Sequence, residues 1–99
     1  ALASVTVAYG TLDVIRKTFE SYHVDHQEYP PEPINLFTGI DSKGRTAFPS
    51  LLLDQINKDI TLVSYNSAVN GSTYTLVANA KDGNQTEMTL TPTGIIKTP

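Results

Sequence analysis

The first thirty residues place the strongest constraint on how this chain can fold. Their paired prolines, Pro30 and Pro31, cannot continue a helix. Before them, apolar residues recur every three or four positions, as on one side of an α-helix: Leu2, Val5, Ala8 or Tyr9, Leu12, Ile15, Phe19 and Tyr22. The pattern predicts one amphipathic helix from about Ser4 to His26. A helix of roughly 25 residues is about 37 Å long, which is more than a small domain needs to cover its core.

The composition fits one modest domain over 1–99 and excludes several functions. The formal net charge of −3 argues against an electrostatic grip on nucleic acid or on anionic lipid. The chain has no cysteine, which excludes a disulfide framework, a thiol nucleophile and thiolate-bound zinc. Only 17% of the residues are charged, and Thr, Ser and Asn supply much of the polarity, which favours a location outside the cytoplasm.

After the helix the spacing of the apolar residues changes twice. Residues 29–59 are irregular, with prolines, glycines and a short helical segment that opens at Pro49-Ser50. From residue 60 the apolar residues alternate as in strands. The predicted strands are 60–65, 73–79, 85–91 and 95–96, and Asn70-Gly71 and Asp82-Gly83 predict the first two turns.

This order of elements predicts an α+β fold. A long N-terminal amphipathic helix over 1–28 packs on a C-terminal antiparallel β-meander of three to four strands over 60–99. Leu12, Ile15, Phe19 and Tyr22 are the helix residues that we expect to contact the sheet. The sheet is expected only near the C-terminal end of the helix.

The end of the helix and the meander resemble the type IV pilins and the related pseudopilins of type II secretion. In that family the globular head carries a helix that ends in a tyrosine, followed by an aspartate three residues later and by Tyr-Pro four residues after that. In FESYHVDHQEYP, the residues Tyr22, Asp25, Tyr29 and Pro30 hold those spacings. The segments YNSAVNGSTYTLVANAKDG and TLTPTGII are similar to the strand pairs and closing Gly-Ile of pilin-like heads.

The chain departs from the family pattern in three places. His26-Gln27-Glu28 replaces the family's glycine, a cysteine pair is absent, and so is the hydrophobic N-terminal half of the helix. The resemblance therefore implies a head whose anchor was removed or is supplied by a separate hydrophobic chain. It also implies a structural filament subunit at the cell surface or in the periplasm, anchored in the inner membrane before assembly. Its partners are other pilin-like subunits, and the assembly residues are expected to be Leu2, Val5 and Tyr9.

Metal binding and catalysis are not expected. His23, Asp25, His26 and Glu28 form the densest group of potential ligands, but histidines at a helix C-terminus also interact favourably with its dipole. Asp25 is expected to accept a turn hydrogen bond beyond the helix. By analogy with pseudopilins, calcium would use Asp82, Asn84 and Glu87, yet the hairpin turn explains Asp82-Gly83 without an ion. No nucleophile-and-base arrangement or phosphate-binding glycine loop is visible, so no cofactor or enzymatic activity is expected.

The sequence leaves open one alternative function and two possible glycosylation sites. A soluble periplasmic or extracellular binding or adhesion module would use the loop 32–49 or the strand edges. The segments Asn70-Gly71-Ser72 and Asn84-Gln85-Thr86 match the glycosylation sequon, but both coincide with predicted turns that favour the same residue types.

Overall fold

A computed structural model describes residues 2–97 and confirms the predicted α+β fold. One long helix is followed by a short helix and by a four-stranded antiparallel sheet in the order β1-β2-β3-β4. The elements are α1 (Leu2–His26), α2 (Ser50–Asp59), β1 (Ile60–Ser67), β2 (Tyr74–Ala80), β3 (Glu87–Thr91) and β4 (Gly94–Lys97). The arrangement is the pilin-like one that the order of elements predicts.

The helix α1 is held by packing along one side. Several of its residues, among them Thr6, Val7 and Thr11, are β-branched, and these residues have only modest helix propensity. Its inner residues are nevertheless buried at steps of four and three: Ala8, Leu12, Ile15, Phe19 and Tyr22. The burial of this apolar row, rather than intrinsic propensity, therefore stabilises the helix.

The sheet supplies the surface on which α1 packs. Alternate residues of β2 point inward, and Tyr74, Leu76 and Ala78 are buried while Thr75 between them is exposed. In the neighbouring strand Met88 and Leu90 are fully buried and lie opposite Ala78 and Leu76. The period of two thus gives one apolar face toward the helix and one polar face toward solvent.

Phe19 joins the helix to both other parts of the fold. Its ring stacks on Phe48 of the loop before α2, with the ring centroids 5.5 Å apart. It also meets Tyr65 of β1 and Tyr74 of β2 edge-on, at 5.5 and 5.0 Å. Such aromatic pairs add about 0.5–1.5 kcal/mol each to the gain from area burial.

The first half of α1 also packs on the domain. Ala8 is fully buried, and Val5 packs against the core together with Ile95 of β4. The buried Thr11 donates its hydroxyl hydrogen to Asp59 at 2.9 Å and accepts one from Gln55 of α2 at 3.1 Å. The expectation that the sheet lies only near the C-terminal end of the helix is therefore wrong, because β4 and α2 extend the core toward the first turns.

The connection between β2 and β3 is longer than the Asp82-Gly83 pattern predicts. The Asp82 carboxylate accepts hydrogen bonds from both the backbone N–H and the hydroxyl of Thr86, and Gln85 has a positive φ of 49°. These contacts form a compact loop over 81–86. As a result β3 begins at Glu87 and not at the predicted Gln85.

Replacing Phe19 by alanine should lower the free energy of unfolding by about 3–5 kcal/mol, because the cavity would remove contacts with three rings at once. Denaturant titration followed by circular dichroism measures this change. Val14→Ala is the matched control on the outer side of the same helix, and its effect should stay within about 0.5 kcal/mol. Equal losses in both variants would contradict the packing of Phe19 described above.

Candidate assembly surface on the N-terminal helix

The outer side of α1 carries a second row of residues with the same spacing as the buried one. Seven positions at steps of four and three are all exposed: Ala3, Val7, Gly10, Val14, Lys17, Ser21 and Val24. The first four carry small or apolar side chains, and we call them the helix stripe. Alternate steps of three and four are the spacing by which one helix packs along another.

The helix stripe has room for a close neighbour. The side chains of Val7 and Val14 are 46% and 40% exposed, respectively. A Cβ atom added to Gly10, between them, would meet no atom within 4 Å. Glycine within a helix costs about 0.5–1 kcal/mol relative to alanine. The domain's own packing therefore does not require Gly10, whereas a second backbone could approach the helix closely at this point.

One carboxylate beside the helix stripe is paired with two cations of the same helix. Asp13 contacts Arg16 at 2.8 Å and Lys17 at 3.0 Å. Hydrogen bonds from these two cations hold the pKa of the Asp13 carboxyl below its usual range. Because two cations share one carboxylate, a partner that covers the stripe would meet a net positive charge along this flank.

The three predicted assembly residues do not belong to the helix stripe. The backbone of Leu2 begins α1, but its side chain lies outside the described part of the structure. Val5 packs on the core, and Tyr9, which is 41% exposed, lies beside β4, where its hydroxyl donates to the Ile95 carbonyl at 3.4 Å. The sequence did hold the signal for the stripe, because Val7 and Val14 are seven residues apart with Gly10 between them.

The residues predicted to contact the sheet lie on the inner side of α1. Leu12, Ile15 and Phe19 have no exposed surface, and Tyr22 is 6% exposed. Tyr22 donates its hydroxyl hydrogen to Asp41 in the following loop at 2.6 Å. These side chains thus fix one side of the helix and leave the opposite side to solvent.

The three further residues of the pilin-like motif have different environments. Tyr29 is buried and donates to Glu20 at 2.6 Å, and the carbonyl of Pro30 accepts from the Tyr65 hydroxyl at 2.6 Å. The Asp25 side chain is exposed and accepts no hydrogen bond from the described residues, so its predicted turn bond is wrong. The helix continues past Asp25, and the Gln27 N–H closes it by donating to the His23 carbonyl at 2.7 Å.

Each histidine at the end of α1 lies against a tyrosine. The His26 ring is 4.5 Å from the Tyr22 ring and the His23 ring is 4.5 Å from the Tyr29 ring, measured between centroids. Within residues 2–97, no three His, Asp or Glu side chains are grouped so that they could hold a metal ion. In the loop considered for calcium, both oxygens of the Asp82 carboxylate accept hydrogen bonds from Thr86.

The loop after the helix is tied back to it by a polar cluster that the sequence did not reveal. The buried Asp41 carboxylate accepts hydrogen bonds from Tyr22 and from the backbone N–H groups of Lys43 and Arg45. The Glu28 carboxylate accepts from the Lys43 ammonium at 2.8 Å and from the Arg45 guanidinium at 2.9 Å. These five residues lie up to 23 positions apart in the chain, so only the tertiary fold brings them together.

This cluster changes the acidity of two of its members. Burial, together with the hydrogen bond to Asp41, raises the pKa of Tyr22 to about 12. Hydrogen bonds from Lys43 and Arg45 hold the pKa of Glu28 below its usual range. The cluster is therefore most stable with a neutral tyrosine and an ionised glutamate.

A shallow groove lies between residues 33–36 and the exposed edge of β1. Its volume is about 210 Å³, and its lining is mainly apolar. The lining residues are Pro33, Ile34, Leu36, Phe48, Leu62, Val63, Ser64 and Tyr65. Phe37, which follows the lining residue Leu36 in the sequence, is 94% exposed. This groove lies in the region that the binding-module alternative would use.

Comparisons of the chain with protein-family models, with curated proteins and with solved structures found no match. The family resemblance therefore stays a prediction that depends on the motif and the order of elements. No helix within residues 2–97 combines the length and the apolar character needed to cross a membrane.

Replacing Glu28 by glutamine should flatten the loss of stability in acid. Because the folded state lowers the pKa of Glu28, its contribution is fully present above the unfolded value near 4.5 and is lost as the pH falls through the folded value. Free energies of unfolding measured from neutral pH to below pH 4.5 should thus fall less steeply in Glu28→Gln. Asp25→Asn is the control, since that carboxylate has no partner among the described residues. A similar slope in Glu28→Gln and wild type would contradict the pairing.

Proposed function

We propose that this chain is the head of a structural subunit in a type IV pilus or pseudopilus-like filament, and that it acts by helix-mediated assembly. The observation that carries this proposal is the exposed helix stripe on α1. A helix with one row buried in its own domain and a second, equally spaced row exposed is suited to pack against a second helix.

The shape of the domain supports the same function. A helix of 25 residues is about 37 Å long, and the longest extent of the structure is 38 Å. The helix therefore runs the full length of the domain, and subunits that join through it would place their sheets side by side around a helical centre. The pilin-like order of helix, loop and meander agrees with this arrangement.

The helix stripe can supply only a part of the contact area that holds an assembly together. Complete burial of a valine side chain contributes about 1.5–3 kcal/mol, and Val7 and Val14 are already half buried. Two such residues beside Gly10 give too little apolar area for a stable pair by themselves. In a filament each subunit repeats the contact with several neighbours, and further apolar helix, from the same protein or from a separate hydrophobic chain, would add to it.

The opposite side of the domain is suited to the filament surface. The outward face of the sheet carries exposed or partly exposed polar side chains, among them Thr61, Thr75 and Thr89. Together with the exposed Ile96 and the partly exposed Val77, these uncharged side chains give the face no strong single-sign field. Under the proposal the helix faces inward and the sheet faces the medium, in a filament at the cell surface or in the periplasm.

The double variant Val7→Glu/Val14→Glu should abolish filaments in the source cells while the domain stays folded. Both side chains are about half exposed in the isolated domain, so a glutamate carboxylate there can reach water, whereas it would be buried in the helix contact. Shearing of surface filaments, followed by electron microscopy and immunoblotting, measures assembly. The double variant Thr61→Glu/Thr75→Glu adds the same two charges on the outer face of the sheet and should leave the filaments intact.

The proposal fails if the double variant assembles like wild type, or if the wild-type protein is not found in any filament. Thermal melting of all variants separates loss of assembly from loss of folding. A large drop in the melting temperature of the double variant alone would contradict the exposure of the helix stripe.

The apolar groove beside β1 favours a second candidate, a periplasmic or extracellular binding module. The gene upstream of Ala1 distinguishes the two. A short basic leader followed by about 20 apolar residues, enough to cross a bilayer, favours the filament subunit. A cleavable secretory signal directly before Ala1 favours the binding module.

A further inference from the structure

The two glycosylation sequons of this chain have different geometry. Asn70-Gly71-Ser72 lies in the turn between β1 and β2, and Asn84-Gln85-Thr86 lies in the loop between β2 and β3. Both asparagines are exposed. Exposure alone therefore does not distinguish them, and the difference lies in what the hydroxyl of each sequon contacts.

In the first sequon the serine is hydrogen-bonded to the asparagine. The Asn70 Oδ1 atom accepts from the Ser72 backbone N–H at 3.1 Å and from the Ser72 hydroxyl at 2.7 Å. A backbone N–H can donate only to the oxygen of the amide, which fixes the orientation of the Asn70 side chain. Its Nδ2 atom has no partner among the described residues. Two donors on the oxygen stabilise the negative charge that it gains when the nitrogen loses a proton.

In the second sequon the threonine is hydrogen-bonded to an aspartate and not to the asparagine. The Thr86 backbone N–H donates to Asp82 Oδ1 at 2.7 Å, and the Thr86 hydroxyl donates to Asp82 Oδ2 at 2.5 Å. Asn84 consequently receives neither donor. The two sequons thus form an internal comparison, with the hydroxyl on the asparagine in one and on an aspartate in the other.

The fold holds the first sequon in this geometry. Gly71 has a φ of +74°, and a Cβ atom there would come within 2.4 Å of the Glu28 side chain. Its N–H donates to the Ala68 carbonyl at 2.8 Å, and its carbonyl accepts from the Tyr29 N–H at 2.9 Å. The turn is therefore fixed against residues 28–29, past the end of α1 and away from the helix stripe.

We propose that Asn70 is an N-glycosylation site of the folded protein and that Asn84 is not. The substrate is a glycosyl donor activated by a nucleoside diphosphate or a polyprenyl pyrophosphate. A bond forms between Asn70 Nδ2 and the anomeric carbon of the sugar while the bond from that carbon to the phosphate oxygen breaks. The electron pair leaves with the phosphate, and the Nδ2 proton passes to a base of the transferase.

This inference is independent of the proposed filament function. A glycan at Asn70 would lie beyond the C-terminal end of α1, so it would leave the helix stripe free. It would add solvated bulk to the end of the domain where Val69, next to the modified residue, is fully exposed.

To test this, the purified folded protein is incubated with a soluble N-glycosyltransferase and a nucleoside-diphosphate glucose. Trypsin cleaves after Lys58 and Lys81, which places the two asparagines on different peptides for mass spectrometry. A hexose should appear on the peptide of Asn70 and not on that of Asn84. In the chain denatured and digested before the reaction, both peptides should be modified, because the contact between Thr86 and Asp82 is then lost.

Two variants complete the test. Ser72→Thr should keep the modification, because threonine has the same two donors, and Asn70→Gln should remove it. Equal modification of both asparagines in the folded protein would overturn the proposal. So would an unmodified Asn70 in folded protein whose digested peptide accepts the sugar. Filament assembly is read separately, so failure here leaves the proposed function standing.

Discussion

The burial of Phe19 is the interaction on which the rest of the structure depends. Its ring contacts Phe48 from the loop, Tyr65 from β1 and Tyr74 from β2, so one side chain of the helix meets both the loop and the sheet. The β-branched first half of α1 makes the helix weak in isolation. Because the rings fix the orientation of α1, they also decide which row of its residues faces solvent.

Polar contacts then hold the chain where the aromatic core ends. Three tyrosines pack their rings in the fold and donate their hydroxyl hydrogens to acceptors at its edge. Tyr22 donates to Asp41, Tyr29 donates to Glu20, and Tyr65 donates to the Pro30 carbonyl. Glu28 adds two ion pairs to the same loop. A partner for each hydroxyl removes the cost of burying it, which is about 1–3 kcal/mol per unpaired group. The Tyr74 hydroxyl is buried without a protein partner among the described residues, so its ring contacts must offset that cost.

The two faces of α1 connect the fold to the proposed function. The inner row stabilises the domain, and the first four residues of the outer row are exposed and small or apolar. The opposite end of the domain carries the β1–β2 turn, where Gly71 holds Asn70 and Ser72 in contact. Assembly and modification would thus use separate ends of one rigid helix, and neither would disturb the aromatic core.

The sequence by itself determined the element types and the inner face of the helix. The three- and four-residue spacing up to Tyr22, the stop at Pro30 and the alternation in β2 are local signals, and local signals report periodicity directly. It also contained the spacing of Val7, Gly10 and Val14, but the spacing alone did not say how much of these side chains the fold leaves exposed. Only the tertiary structure decided that β4 and α2 pack along the first half of α1, and that Asp41 and Glu28 hold the loop to the helix. Those contacts join residues far apart in the chain, and their geometry exists only once the core has formed.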